Sequence, residues 1–315
     1  MKSPVRSALL FAAIGLAIYA GLYAAAERLV YRTGQANPFF RIATLQEDRV
    51  DWVVLGASHA MQLDFGGFNA RLEEATGRRV LNLGSPGTGP LYNRFVLEAF
   101  LRERRAGGVL YVVDSFALRS RAWNEERFAD AKLLRRTPFD PALARRLCEY
   151  ARDEGVDPRA VLDYLSGFSK INNRERFQAD VWEGQAQFGR VSRPSKAAVA
   201  KRIAYLYPGK AEPEALGRYL DQLAAIVGLA RGAGMAVVVV KTPVPPLYRE
   251  ALPDEAAFDA ALAARLGALG VAYHDYSATI ADARYYFDTD HLNRAGLEKF
   301  LEQDLKALLA AGKAP

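Results

Sequence analysis

A single cysteine, Cys148, occurs in 315 residues, which excludes a disulfide framework and a cysteine-based zinc site. Histidine is nearly as scarce. Only His59, His274 and His291 could supply an imidazole base, so chemistry that needs one has three candidates. Neither sign of charge dominates: 42 Lys and Arg against 36 Asp and Glu leave +6, too little over the whole chain to argue for a nucleic-acid partner. Internal repeats are missing, and low complexity goes no further than Ala-rich helical stretches. With 25 Gly and 15 Pro the chain is neither collagen-like nor linker-like, and 50% hydrophobic residues supply a packed core and exclude disorder. The small positive excess is unevenly placed. Arg119 to Lys210 holds 19 Lys and Arg against 12 Asp and Glu, a net of +7, so this middle stretch carries all of it.

Only one long uncharged apolar run is present, Ser7 to Ala26, set between Arg6 and Glu27. About 20 residues at about 1.5 Å each reach about 30 Å, the thickness of a hydrocarbon core. The run is expected to be a membrane anchor, with residues 1–35 forming anchor and connector. A cleaved signal peptide competes with that reading, because Ala24-Ala25-Ala26 offers a small-residue processing site; the run nevertheless exceeds the ~7–15 apolar residues usual there. Lys2 and Arg6 precede the run while Glu27, Arg28 and Arg32 follow it, a slight positive-inside bias that puts the remainder outside the cytoplasm.

Beyond a polar connector at Thr33 to Pro38, short apolar runs alternate with longer amphipathic stretches. Trp52 to Leu55, Val80 to Leu83, Val109 to Val113, Ala236 to Val240 and Val271 to Tyr273 read as buried strands closing at turns. Gly67 to Thr76, Leu91 to Arg105, Pro213 to Ala233, Glu255 to Leu269 and Arg294 to Ala311 have helical spacing and the length of crossovers. The pattern predicts an α/β fold over 36–315, a three-layer α/β/α sandwich on a five-stranded parallel sheet, with its crevice at the carboxyl ends of the strands. Residues 119–211 interrupt the rhythm and read as a mainly helical basic insertion, with helices at Leu143 to Arg152 and Pro158 to Phe168. That insertion is either a solvated decoration or a surface meeting anionic lipid heads or an acidic polymer.

Directly after the first strand, Gly56-Ala57-Ser58-His59 places a serine at a strand-to-helix turn. A serine hydroxyl needs a base to take its proton and a carboxylate to orient that base. His59 adjoins Ser58 on the turn and is expected to be structural or substrate-facing, and His274 to be a polar residue at the fifth strand. His291 remains, in Asp288-Thr289-Asp290-His291, where a single loop can bring Asp288 to one ring nitrogen and leave the other for Ser58. Asp290 is expected to point away or to cap the helix beginning near Arg294. Asp-Thr-Asp lacks the ligand count and glycine of a calcium loop, and no metal or cofactor is expected. Such a site requires backbone N–H donors for the oxyanion; Ser58 and Gly84, the latter in Asn82-Leu83-Gly84-Ser85, are the candidates, with a tight turn that needs glycine as the competing reading of Gly84.

These blocks resemble the SGNH (GDSL-like) hydrolases over Asp51 to Leu309, outside the insertion. The family's Gly-Asp-Ser turn is matched by Gly56-Ala57-Ser58 with alanine for aspartate, its glycine after strand two by Gly84, and its Asp-x-x-His by Asp288 and His291. The resemblance implies Ser58 as nucleophile, His291 as base, Asp288 as its orienter, and the N–H groups of Ser58 and Gly84 as oxyanion donors. It departs at the third block, where Asp114-Ser115-Phe116 stands in place of Gly-x-Asn-Asp. That departure together with an N-terminal tether is similar to a divergent branch that acylates cell-surface polymers beside a multi-span membrane O-acyltransferase. The expected function is a tethered serine O-acyltransferase or esterase on an envelope polysaccharide. The protein is expected to be single-pass in the inner membrane, with its catalytic domain on the periplasmic side. Two alternatives stand beside it: a non-catalytic polysaccharide-binding or scaffold domain, and a lipid esterase.

Overall fold

The computed structural model describes residues 4–209, 212 and 214–311. Lys2, the Lys210 and Ala211 end of the basic stretch, and the expected helix start at Pro213 lie outside these. Described residues up to Ala43 together with Phe128–Asp180 cluster into one compact unit, and Thr44–Arg127 with Val181 onward into another.

The second unit is built on a parallel sheet of β1 (Arg49–Gly56), β2 (Val80–Asn82), β3 (Arg105–Val112), β4 (Ala236–Lys241) and β5 (Ala272–Asp275), ordered β2-β1-β3-β4-β5. The chain thus steps outward from β1 in both directions, and the crevice of such a sheet opens between the carboxyl ends of β1 and β3. Both strands are covered on both faces, as their near-continuous apolar sequence requires. Alternate side chains send Trp52, Val54, Leu110, Val112 and Val240 into one core with Phe68, Leu72, Leu297 and Phe300. Their neighbours Val53, Leu55, Val109, Tyr111 and Val239 are buried on the opposite face. There the helices Pro90–Glu103 and Ala215–Gly232 pack on each other and against the sheet. The architecture is the three-layer α/β fold that the alternating pattern predicts. The last crossover is less regular than expected, since a single π-helical stretch, Leu301–Leu305, separates the helices Arg294–Phe300 and Lys306–Ala311.

The first unit gathers the helix Pro4–Thr33 with Pro141–Asp153 and Pro158–Ser166. Pro4–Thr33 is 30 residues long and apolar enough to cross a membrane. Its final turns are not free: Ala26 and Val30 are buried, the Tyr19 hydroxyl donates to the Ser166 carbonyl at 3.0 Å, and Glu27 accepts the Phe139 N–H at 2.7 Å while pairing with buried Lys170. Aspartate caps followed by proline start both partner helices; Asp140 accepts from Ala142 and Asp157 from Arg159, each at 2.8 Å. The residues read as one insertion are therefore shared, with 128–180 in this unit and 181 onward beside the sheet.

Candidate active site

β1 ends at Gly56 with φ of 139°, a conformation open to glycine, and a Cβ there would lie 2.4 Å from the Val112 carbonyl oxygen. Its N–H donates to Asn93 Oδ1 at 3.0 Å, which fixes the turn. The short helix Ser58–Met61 starts two residues later, so Ser58 sits at the carboxyl end of a central strand with its N–H among the first-turn amides that have no intrahelical acceptor.

On the far side of the crevice, Asp288 organises its own loop. Its carboxylate accepts the backbone N–H groups of Asp290 at 3.0 Å and His291 at 2.8 Å and approaches His291 Nδ1 at 2.9 Å. His291 Nε2 lies 2.9 Å from Ser58 Oγ. The three residues expected from the sequence to act together are therefore brought into a continuous hydrogen-bonded chain, although Ser58 and His291 are 233 residues apart in sequence. The Leu292 N–H donates to Gln62 Oε1 at 3.0 Å, which ties the histidine loop back to the serine side. The His291 ring lies among Phe287, Trp182 and His59, with centroids at 5.5, 5.2 and 4.6 Å, so water has little access to it. Burial disfavours the charged form of Asp288, but the facing His291 outweighs it and holds the carboxyl below its ordinary range.

Several features differ from expectation. Asp290 neither points away nor caps the last helix: Asn293 is the cap, accepting the Gly296 N–H at 3.0 Å. Asp290 is wholly buried, accepts a forked bond from Arg202 at 2.8 to 3.1 Å, and stands 3.6 Å from His291 Nδ1. Burial opposes its charge, yet His291, Arg202 and His59 together keep it ionised. Of the two roles expected for His59, its burial and bonding fit the structural one. Its Nδ1 meets Asp114 at 2.5 Å and its Nε2 meets the Asp290 carbonyl at 2.9 Å. Burial works against the imidazolium, but Asp114 and Asp290 prevail and push the His59 pKa up to about 9. His274 pairs in register with Val240 and stacks on Tyr276. Gly84 approaches the serine helix closely, since a Cβ on it would lie 2.9 Å from Ala60 Cβ and 3.0 Å from the Met61 nitrogen. Its N–H, however, donates to Asn82 Oδ1 at 2.9 Å and is thereby engaged within its own turn. Ser115 Oγ is likewise held, by the Tyr207 hydroxyl at 2.7 Å.

Sequence reasoning missed Asp114, Arg202 and Trp182. A signal for Asp114 existed: β1 and β3 are parallel neighbours with Gly56 opposite Val112, so residues two or three beyond each end meet. Trp182 lies in the polar, aperiodic tract Asn172 to Ser195, and Arg202 on the helix Lys196–Leu206, and neither stands in a local motif with the residues it meets. Among the described residues, His59, Asp290 and His291 offer ligand atoms within 4.8 Å of one another and could hold a metal. Both ring nitrogens of each histidine and the Asp290 carboxylate already have protein partners, so an ion would have to displace them.

No family model matches the chain, and no curated protein matches it. A comparison with solved structures finds the crystal structure of a "putative acylhydrolase" from Bacteroides fragilis, at 12% identity and a TM-score of 0.40, covering 85% of this chain and 94% of that one.

Proposed function

We propose that the chain is a membrane-tethered serine acyl catalyst, an O-acyltransferase or esterase of the SGNH type that acts on a cell-envelope polysaccharide. The observation that carries it is the Ser58 Oγ to His291 Nε2 distance of 2.9 Å with Asp288 2.9 Å from Nδ1. In the first half-reaction Ser58 Oγ bonds to the ester carbonyl carbon while its proton passes to His291 Nε2. The tetrahedral oxyanion is met by the Ser58 N–H, the carbon–oxygen bond to the leaving alcohol breaks, and that alcohol takes the proton from His291. In the second half-reaction His291 takes a proton from a polymer hydroxyl or from water, and the oxygen so freed displaces Ser58 from the acyl group. The partner of the transfer mode is a multi-span membrane O-acyltransferase that delivers the acyl group. The apolar helix Pro4–Thr33 supports a tether, with the sheet unit on the periplasmic face of the inner membrane.

A second reading, a non-catalytic polysaccharide-binding domain, is favoured by one feature, the engagement of the Gly84 N–H by Asn82, which leaves fewer donors for an oxyanion. Fluorophosphonate labelling decides between them. Labelling of the wild-type chain that disappears in Ser58→Ala supports the acyl-serine catalyst; a folded wild type that resists the probe overturns it in favour of the binding domain.

A further inference from the structure

Between Gly184 and Ala211 the sequence has six Lys and Arg and no Asp or Glu. Arg202 is engaged with Asp290, but Arg190, Arg193, Lys196 and Lys201 are exposed, and among the described residues none has a carboxylate partner or a side-chain hydrogen bond. Like charges gathered in one short segment repel one another, so folding alone gives no reason to collect them.

Their placement relative to Ser58 is fixed at both ends. At one end Asn293 Nδ2 donates to the Arg190 carbonyl at 2.9 Å and the Ser192 N–H donates to the Tyr286 carbonyl at 2.7 Å, so both bonds tie the basic stretch to the segment Tyr286 to Asn293 that carries His291. At the other end Arg202, on the helix Lys196–Leu206, forks onto Asp290, the residue before His291. The intervening cations are thus stapled beside the proposed catalytic histidine. Tyr205 follows Lys201 by four residues and shares its helix face; it is 59% exposed, with one edge against Trp123 at 5.5 Å and the Arg202 guanidinium 5.7 Å from its ring. A cation beside an exposed, rigidly held aromatic ring suits a sugar that bears a negative charge, the ring meeting its apolar face and the lysine its anion.

We infer that the strip from Arg190 to Tyr205 binds an anionic glycan chain and lays it across the mouth of the Ser58–His291 site, so the acceptor of the proposed transfer is a charged rather than a neutral polysaccharide. The inference rests on the acyl-serine reading for its link to chemistry, but the binding it predicts is measurable without turnover. Full-length Ser58→Ala chain in detergent micelles is run through gels containing a polyuronate or a neutral glucan of matched length. The polyuronate should retard the chain, the glucan should not, and added salt should release it. Arg193→Gln/Lys196→Gln/Lys201→Gln should weaken retardation by about tenfold or more. Arg71→Gln, which removes a cation already paired with Glu302 at 3.0 Å, should leave it unchanged. An unaltered thermal midpoint in the triple variant shows that its fold is intact, and Lys201→Gln alone should give an intermediate shift. Equal retardation by the neutral glucan, or a triple variant that binds like its parent, overturns the inference. So does a triple variant that keeps its polyuronate affinity while losing its preference for phosphatidylglycerol vesicles over phosphatidylcholine vesicles, since the strip would then face lipid. Failure of serine labelling with retardation intact sinks the acyl-serine reading alone, and the reverse pattern sinks this inference alone.

Discussion

Around His291 two carboxylates compete for one imidazole, Asp288 at 2.9 Å and Asp290 at 3.6 Å, and their surroundings separate their roles. Asp288 is 32% exposed at its side chain and accepts from the loop's own amides, so it can orient the ring; Asp290 is fully buried and already neutralised by Arg202. Ser58→Ala and His291→Ala should each lower acyl turnover by about three orders of magnitude or more without changing the thermal midpoint. Asp288→Asn should lose about thirtyfold less than His291→Ala, because the carboxylate orients and does not itself carry the proton. Asp290→Asn acts differently. It strips Arg202 of its counter-charge and should cost about 3–5 kcal/mol in denaturant-induced unfolding. The raised His59 pKa adds a pH signature. A group whose folded pKa lies above its unfolded value contributes all its stability below the unfolded pKa, about 6.5, and loses it as the pH climbs through the folded value. Unfolding free energy should therefore fall between about pH 6.5 and pH 9. His59→Gln should flatten that slope, and a slope that persists would show that another group titrates. At this scale the sequence displayed Ser58, Asp288 and His291 because each stands at a turn following an apolar run or in a short spaced motif. It hid the Asp290–Arg202 pair, since nothing local relates residues 88 apart.

Among the secondary-structure elements, the two tight turns flanking Ser58 depend on glycine for different reasons. Gly56 needs its φ of 139°, whereas Gly84 needs its missing Cβ so that the β2 turn can lie against Ala60 and Met61. Gly84→Ala should displace the serine helix and reduce turnover, by up to about a hundredfold if the shift reaches about 1 Å, while fluorophosphonate labelling slows in proportion. Full activity in that variant would mean that the serine helix tolerates the shift. All five strands were legible as apolar runs that overlap them, but β1 and β3 begin three or four residues earlier than those runs. Arg49 to Asp51 and Arg105 to Gly108 carry charge or glycine, residue types that are depleted in strands and so mask strand character. Helix starts were legible near Pro158 and Arg294, although the cap of the latter, Asn293, was not the aspartate expected. The tract from Asn172 to Ser195 gave no period because it is mostly loop, with one short 3₁₀ turn at Glu183–Gln187. That tract nonetheless delivers Trp182, 5.2 Å from the His291 ring centroid, to the site.

For the molecule as a whole, the apolar helix and the stretch 128–180 cluster in one compact unit. Sequence alone could not join them, because the contacts are single polar anchors scattered over more than a hundred residues: Tyr19 to Ser166, Glu27 to Phe139 and Lys170, Thr33 to Arg136. Truncation should separate the two roles of the helix. Removing residues up to Ala17 should release the protein from the membrane fraction with its thermal midpoint largely kept. Removing residues up to Thr33 should cost about 3–5 kcal/mol, since Lys170, 3% exposed at its side chain, would lose Glu27. Equal stability of the two truncations would show that the helix is only a tether. The same docking bears on maturation. A leader peptidase must draw its substrate into an extended strand across the scissile bond, yet Ala24-Ala25-Ala26 lies in mid-helix, with the preceding Tyr23 ring edge-on to Phe139 at 6.2 Å. Proteolytic trimming there would first have to unwind a helix that the rest of its unit holds shut, so N-terminal sequencing of protein recovered from cells should find the hydrophobic leader still attached.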